Sequence, residues 1–311
     1  MDEKQVRAMR QSSPRRARVT RAGFAATVQE GSIYNDSISK RTPSQSLGGN
    51  RSISAGARDI VAGAAAVGIW FRLGWQDIRQ RYRRSSLGPM WLTASLAITV
   101  AAMGFLYSRL FRQEPAGYVP FLATGLVIWT FISSLINEGC LVFIQAEGII
   151  KQVRLPLSLH VFRMTWRNTI VLLHHALIIP VIAVVFGLGP HWSWLSIPLG
   201  VVAVAASFVL VSLVVGALCA RFRDIPQIVQ SLVQILFFVT PVIWKPETLT
   251  GHRWVVDWNP IYHYVEIIRA PLIRMEVPLQ SWVFVAACTP LVTAVSVWFF
   301  GRCRPRIPYW V

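Results

Sequence analysis

Between residues 90 and 300 the sequence holds six long apolar stretches separated by polar connections, a spacing that leaves few folds open. They cover 90–107, 118–136, 169–186, 195–218, 228–244 and 282–300. A helix crossing the hydrocarbon core of a bilayer needs about 20 apolar residues. A transmembrane β-barrel would instead show shorter segments of alternating polarity. With 54% hydrophobic and 14% charged residues and a mean hydropathy of +0.47, the chain is poorly suited to water on all sides. Soluble domains carry roughly 25% charged residues. Trp91, Trp194, Trp244 and Trp282 lie near the ends of the stretches, where indole rings favour the headgroup zone. The expected fold is an all-α polytopic membrane protein with six transmembrane helices.

Charge gives this bundle an orientation. The chain has 31 Lys and Arg against 14 Asp and Glu, a net charge of +17. With the N-terminus inside, only Arg109, Arg112, Lys245, Arg253, Arg269 and Arg274 fall in outer connections. The other basic residues collect in the tail and the inner loops, as the positive-inside rule favours. Both termini are therefore expected on the cytoplasmic side of the membrane. The distribution also points to anionic phospholipid as the partner of the basic surface, with no nucleic acid.

Residues 1–59 form a basic tail rich in Arg, Ser, Gln and Gly, with little to bury and therefore expected to be disordered. It reads as an electrostatic tether to lipid or as a solvated tail. No apolar signal-peptide core follows its early basic residues. Residues 60–89 form a second region. On a helix, Phe71, Trp75, Ile78 and Tyr82 make one stripe, with Arg72, Gln76, Arg79 and Arg83 on another side. Large rings opposite arginines suit a helix lying in the membrane interface. Gly88 and Pro89 then break it before the membrane domain, 90–311.

Two connections are long enough to carry structure. The inner segment 137–168 has apolar positions for one or two short helices, with Pro156 ending or kinking one. The outer segment 245–281 contains a stretch, 261–273, too polar and too short to span. It suits a re-entrant or surface-lying arm, which must be shielded by protein or line a wet cavity.

Catalytic and metal chemistry find little support. Cys140, Cys219, Cys288 and Cys303 are widely spaced, without a CxxC pair. His174 and His175 are adjacent and face different directions on a helix, as polar packing groups would. His252, Asp257, His263 and Glu266 share the outer segment, but the sequence does not bring them together. No GxxxxGK(S/T) phosphate loop occurs, so nucleotide hydrolysis would need another chain. The span centres are almost uncharged, which weighs against an ion-coupled carrier.

Four ordered motifs carry a family resemblance. ARFRDIPQIVQSLVQILFFVTPVIW at 220–244 is similar to an Arg-Asp turn followed by a fifth span ending in Thr-Pro-Val. IRQRYRRSSLGPMW at 78–91 resembles a junction between an interfacial helix and a first span. EGIIKQVRLPLSL at 147–159 resembles a coupling-helix region, and WNPIYHYVEIIRAPL at 258–272 an external gate segment. Together they resemble the transmembrane subunit of ABC-2 type polysaccharide exporters, which serve lipid-linked O-antigens, capsular polysaccharides and teichoic acids. The similarity covers roughly residues 70–305.

The resemblance implies a homodimer around a conduit, with two copies of a nucleotide-binding ABC ATPase and a lipid-linked polysaccharide as substrate. It implies no cofactor in this chain, since ATP and Mg belong to the partner. It places Glu147, Lys151, Arg154, Arg223 and Asp224 in the region coupled to that ATPase. Aromatic faces stack on sugar rings, which makes Trp129, Phe131, Trp166, Phe237, Phe238, Trp244 and Tyr262 candidates for the passage. Pro241, Pro246, Asn259 and Pro260 are candidates for shaping the gate. The long tail and the His252-Arg253-Trp254 sequence depart from the family pattern. The alternatives are an ABC permease for a drug or another lipid, and a membrane-embedded glycan-processing enzyme.

Overall fold

The computed structural model describes residues 49–83, 88, 90–249 and 251–311. The basic tail up to residue 48 and the junction residues 84–87 and 89 lie outside the described residues. All regular structure among the described residues is helical. In chain order the helices are α1 (Gly49–Ala65), α2 (Val67–Tyr82), α3 (Met90–Leu110), α4 (Pro115–Gln145) and α5 (Glu147–Gln152). There follow α6 (Ser158–His175), α7 (Ile178–Phe186), α8 (Ile197–Arg221), α9 (Ile225–Val239) and α10 (Trp254–Asp257). The last three are α11 (Pro260–Ile273), α12 (Leu279–Cys303) and α13 (Ile307–Trp310).

Five helical units among the described residues are long and apolar enough to cross a membrane: Met90–Leu110, Pro115–Gln152, Ser158–Phe186, Trp192–Arg221 and Leu279–Trp310. The fifth expected span differs in form. Its helix, α9, has 15 residues, about 22 Å at 1.5 Å per residue, and ends at Val239. Thr240 to Trp244 continue without helix, because Pro241 cannot supply an amide hydrogen to the ladder.

Two boundaries lie well outside the apolar runs. Helix α4 continues to Gln145, and the third span begins at Ser158 rather than 169. The inner segment 137–168 thus shrinks to α5 and a short link before α6. Charges at Glu138, Arg163 and Arg167 read locally as span ends, yet Arg167 pairs with Glu138, and Asp77 of α2 pairs with both arginines, which lets the helices continue.

Helix α1 is a third difference. Its residues 49–59 are among those expected to belong to the tail and 60–65 to the interfacial region, and it meets α2 at Ala66 with a bend of 66°. Small residues let it lie close to its neighbours. A Cβ on Gly56 would come within 2.7 Å of Gly301 Cα, and one on Gly301 within 2.6 Å of the Ser52 carbonyl oxygen. Backbone cannot move aside as a flexible side chain can. Gly301→Leu is therefore expected to prise α1 from α12 and cost about 1–3 kcal/mol, the usual scale of overpacking. A thermal unfolding midpoint equal to that of the unmodified protein would show that this crossing contributes little to stability.

The core is built on α4, whose residues from Tyr118 to Phe143 are largely buried against α3, α6, α8, α9 and α11. Ser212 sits against Gly139 and donates to the Leu135 carbonyl at 3.1 Å, drawing α8 close to α4.

Candidate coupling face and gate segment

One end of the bundle is rich in arginine. Helix α5 lies there with no buried residue, and its Glu147 and Lys151, one turn apart, pair at 2.6 Å. The hydrogen bond and charge of Lys151, with a weaker contribution from Arg223, hold the Glu147 carboxyl below its usual range. Arg223 Nη2 donates to the Trp310 carbonyl at 3.2 Å, and the Arg221 guanidinium lies 5.3 Å from the Trp310 ring centre. So α5, the turn at 221–224 and the C-terminal helix α13 share one face. Asp224 is exposed beside Arg223, at the start of α9. Arg154 is exposed and lines a cavity of about 410 Å³ with Arg58, Asp59 and Arg304.

Asp59 anchors this end. Its side chain is fully buried, and it accepts from Arg304 Nε at 2.6 Å. It also accepts from the backbone amides of Leu157 at 3.2 Å and Ser158 at 3.0 Å. These amides open α6 and lack intrahelical partners. A carboxylate 98 residues away in sequence thus caps the third span, and the Ser158 hydroxyl returns a bond to the Asp59 carbonyl at 2.7 Å.

A second ionic cluster ties the amphipathic helix α2 to two spans. Asp77 accepts from Arg163 Nη2 and Nε at 2.5 and 2.8 Å and from Arg167 Nη1 at 3.2 Å. Glu138 accepts from Arg167 Nη2 at 2.7 Å and Asn168 Nδ2 at 2.6 Å, with Arg81 3.5 Å away. Rings extend the contact: Phe71 stacks on Trp166 at 4.6 Å, and Trp70 lies 6.3 Å from Phe162. The predicted stripe of α2 is therefore divided. Ile78 is buried and Tyr82 half-buried, while Trp75 remains exposed. Trp166, a passage candidate, is placed against α2. The clue available in the sequence was the presence of Glu138 and Arg167 beside apolar runs.

At the opposite end α11 is enclosed by protein, with every residue from His263 to Leu272 buried. Asn259 caps it, accepting from Ile261 N at 3.0 Å and Tyr262 N at 3.4 Å. The Asn259 amide nitrogen donates to Thr240 at 3.0 Å, which binds the start of α11 to the unwound end of the fifth span. Pro260 opens the helix at its first position.

One guanidinium joins the elements of this end. Arg269 bonds Glu266 Oε2 through Nη2 at 2.7 Å, donates to the Pro241 carbonyl at 2.6 Å and lies 4.1 Å from the Phe121 ring centre. The other Glu266 oxygen pairs with Arg274. Tyr118 donates to the Ile243 carbonyl at 2.7 Å, and the Trp244 indole donates to the Phe238 carbonyl at 3.0 Å. His263 lies between Ser281 at 3.0 Å and the Asp257 carbonyl at 2.8 Å, a packing role rather than a catalytic one. Among the described residues no His, Cys, Asp or Glu cluster could hold a metal ion.

The remaining passage candidates separate by exposure. Phe131 is buried, and Trp129 is buried against Phe237 at 5.3 Å. Tyr262 and Trp244 are half-buried at the end that holds α11, whereas Phe238 is 62% exposed.

The profile of the family described as "ABC-2 type transporter" matches residues 70–273, which include most of α2, all of α5, the 221–224 turn and α11. An O-antigen export system permease protein RfbA of Klebsiella pneumoniae is 28% identical over 191 residues, covering 60% of this chain and 73% of the relative. The protein of the same description from Myxococcus xanthus is 24% identical over 218 residues, covering 68% and 82%. The match spans about two thirds of the chain, and this protein belongs to the ABC-2 type transporter family, as a membrane-spanning transport subunit and not an enzyme.

Proposed function

We propose that this chain is the membrane subunit of an ATP-driven exporter of lipid-linked, O-antigen-like polysaccharide across a bacterial inner membrane. The observation that carries the reading is the shared face of α5, the 221–224 turn and α13, at the arginine-rich end of a chain whose described relatives are O-antigen export permeases. In this reading the arginine-rich end and both termini are cytoplasmic, and two protomers pair with two nucleotide-binding subunits. Those subunits bind ATP and Mg; this chain binds neither. Arg72, Arg79 and Arg83 of α2 meet anionic phospholipid headgroups. A short, exposed helix seated in a moving partner transmits displacement into α4 and α6, which a slack loop would absorb.

Two tests follow. Reconstituted with its nucleotide-binding partner, the protein should move lipid-linked glycan only when ATP is hydrolysed; robust transport by this chain alone would defeat the reading. Reversing Glu147 to Lys, or Lys151 to Glu, should lower glycan export about tenfold or more while ATP hydrolysis persists. The exposed pair itself contributes little to stability, so expression should be unchanged. Normal export in both variants would remove α5 from the coupling path.

A second reading, a permease for a drug or another lipid, is favoured by a cavity of about 520 Å³. It is lined by apolar residues including Phe131, Leu172, Pro180, Trp194 and Ile268. Stimulation of ATP hydrolysis by apolar compounds but not by lipid-linked glycan would select it.

A further inference from the structure

Helix α9 divides into three faces. Val233 is its one buried residue, and Val229 and Leu236 pack beside it on the core. A second face carries Ile228, Leu232, Ile235 and Val239, all exposed and apolar. The third carries Gln227, Gln230, Ser231, Gln234 and Phe238, also exposed. At 3.6 residues per turn these five fall within an arc of about 100°. Ser231 donates to the Gln227 carbonyl, while the three glutamine amides have no partner among the described residues.

Such a stripe is out of place against lipid. Each amide offers two donors and an acceptor, and unpaired polar groups are costly in hydrocarbon. The neighbouring apolar face is the surface suited to acyl chains. Amides beside an exposed ring suit a chain of sugars: they exchange hydrogen bonds with hydroxyls without fixed charge, and the ring offers a face to stack upon. Being uncharged, they also hold each sugar weakly enough to release it.

We propose that Gln227, Gln230, Gln234 and Phe238 line the wet path taken by the glycan. The proposal rests on the polysaccharide reading above and names the surface that meets the substrate. Phe237, turned toward Trp129, supports the wall from behind.

Cysteine scanning tests it. Gln230→Cys and Gln234→Cys, with Ile228→Cys and Ile235→Cys as controls, are made in a chain whose four native cysteines are alanine and which still exports. The assembled complex in sealed vesicles is exposed on both sides to a membrane-impermeant maleimide. A thiolate forms readily only in water, so the glutamine positions should react at least about tenfold faster than the controls. Reaction there should also stop export. Equal rates at all four positions would overturn the proposal. So would disulfide formation between the two copies at the glutamine positions without labelling, which would assign the stripe to the dimer contact. Labelling that leaves export intact would likewise exclude it. Because labelling asks only whether the stripe is wet, its failure is distinct from failure of ATP-dependent glycan export by the unmodified complex. A Gln227→Leu, Gln230→Leu, Gln234→Leu variant provides a second arm: it should insert and assemble normally yet export at least tenfold less.

Discussion

Arg269→Ala will destabilise the protein by about 3–5 kcal/mol, the usual cost of breaking a buried ion pair from one side. Arg269 and Glu266 are each 2% exposed, and the guanidinium also donates to the Pro241 carbonyl while lying over Phe121. Alanine would leave Glu266 paired only with Arg274, whose side chain is 45% exposed, and would strand a carbonyl of the unwound segment. Arg269→Lys should recover part of the loss, since an ammonium keeps the charge but lacks the planar fork that reaches carboxylate and carbonyl together. Replacing the pair by Glu266→Gln with Arg269→Met should recover more of the stability, because no unpaired charge remains buried. Thermal unfolding of the purified complex separates these cases. A midpoint for Arg269→Ala within a degree or two of the unmodified protein would show that the pair is dispensable.

The function of the pair is separable from its stability. It connects α11 to the place where the fifth span stops being helical, so these two elements should move together if this end opens as a gate. The doubly substituted variant is the informative one: if stable, it should still lose export, because the Pro241 carbonyl has then lost its bond to α11 and the Asn259–Thr240 bond is left to hold the unwound segment. Stable protein with full export would reduce the pair to packing.

Much of this architecture was legible in the sequence because apolarity is a local property. A run of about 20 apolar residues has few alternatives to a membrane helix, whatever surrounds it. What escaped was set by partners distant in the chain. Residues 49–58 look like the tail, yet α1 is held by Gly301 and by Asp59, whose partners are Leu157, Ser158 and Arg304. Glu138 and Arg167 look like the ends of spans until they are seen to pair. The apolar run expected to form the fifth span passes straight through Pro241 to residue 244, whereas its helix ends at Val239. The glutamines of α9 are visible in the sequence at spacings of three and four. Without knowing which face packs on α4, they read as tolerable polar residues in an apolar run.

Asp77→Ala should be strongly damaging at the arginine-rich end. The carboxylate is 12% exposed and accepts three charge-assisted bonds from two arginines, so its loss should cost about 2–4 kcal/mol. Arg163 would keep no carboxylate partner, while Arg167 would still have Glu138. The damage should therefore fall on the contact between α2 and α6, where the Trp70, Phe71, Phe162 and Trp166 rings and the close approach of Gly74 to α6 would remain. Exchanging the charges, Asp77→Arg with Arg163→Asp, tests whether the pair acts through its own geometry. The bond could be remade, but Arg167 would then face an arginine, so rescue should be partial. Protease cleavage after the exposed arginines of α2 gives a direct readout: faster in Asp77→Ala, slower again in the exchanged variant. If α2 carries motion from the ATPase side into the third span, ATP hydrolysis in Asp77→Ala should continue while export falls. Unchanged cleavage with unchanged export would mean that packing alone docks α2, and that the ionic cluster merely satisfies charges stranded at the ends of two spans.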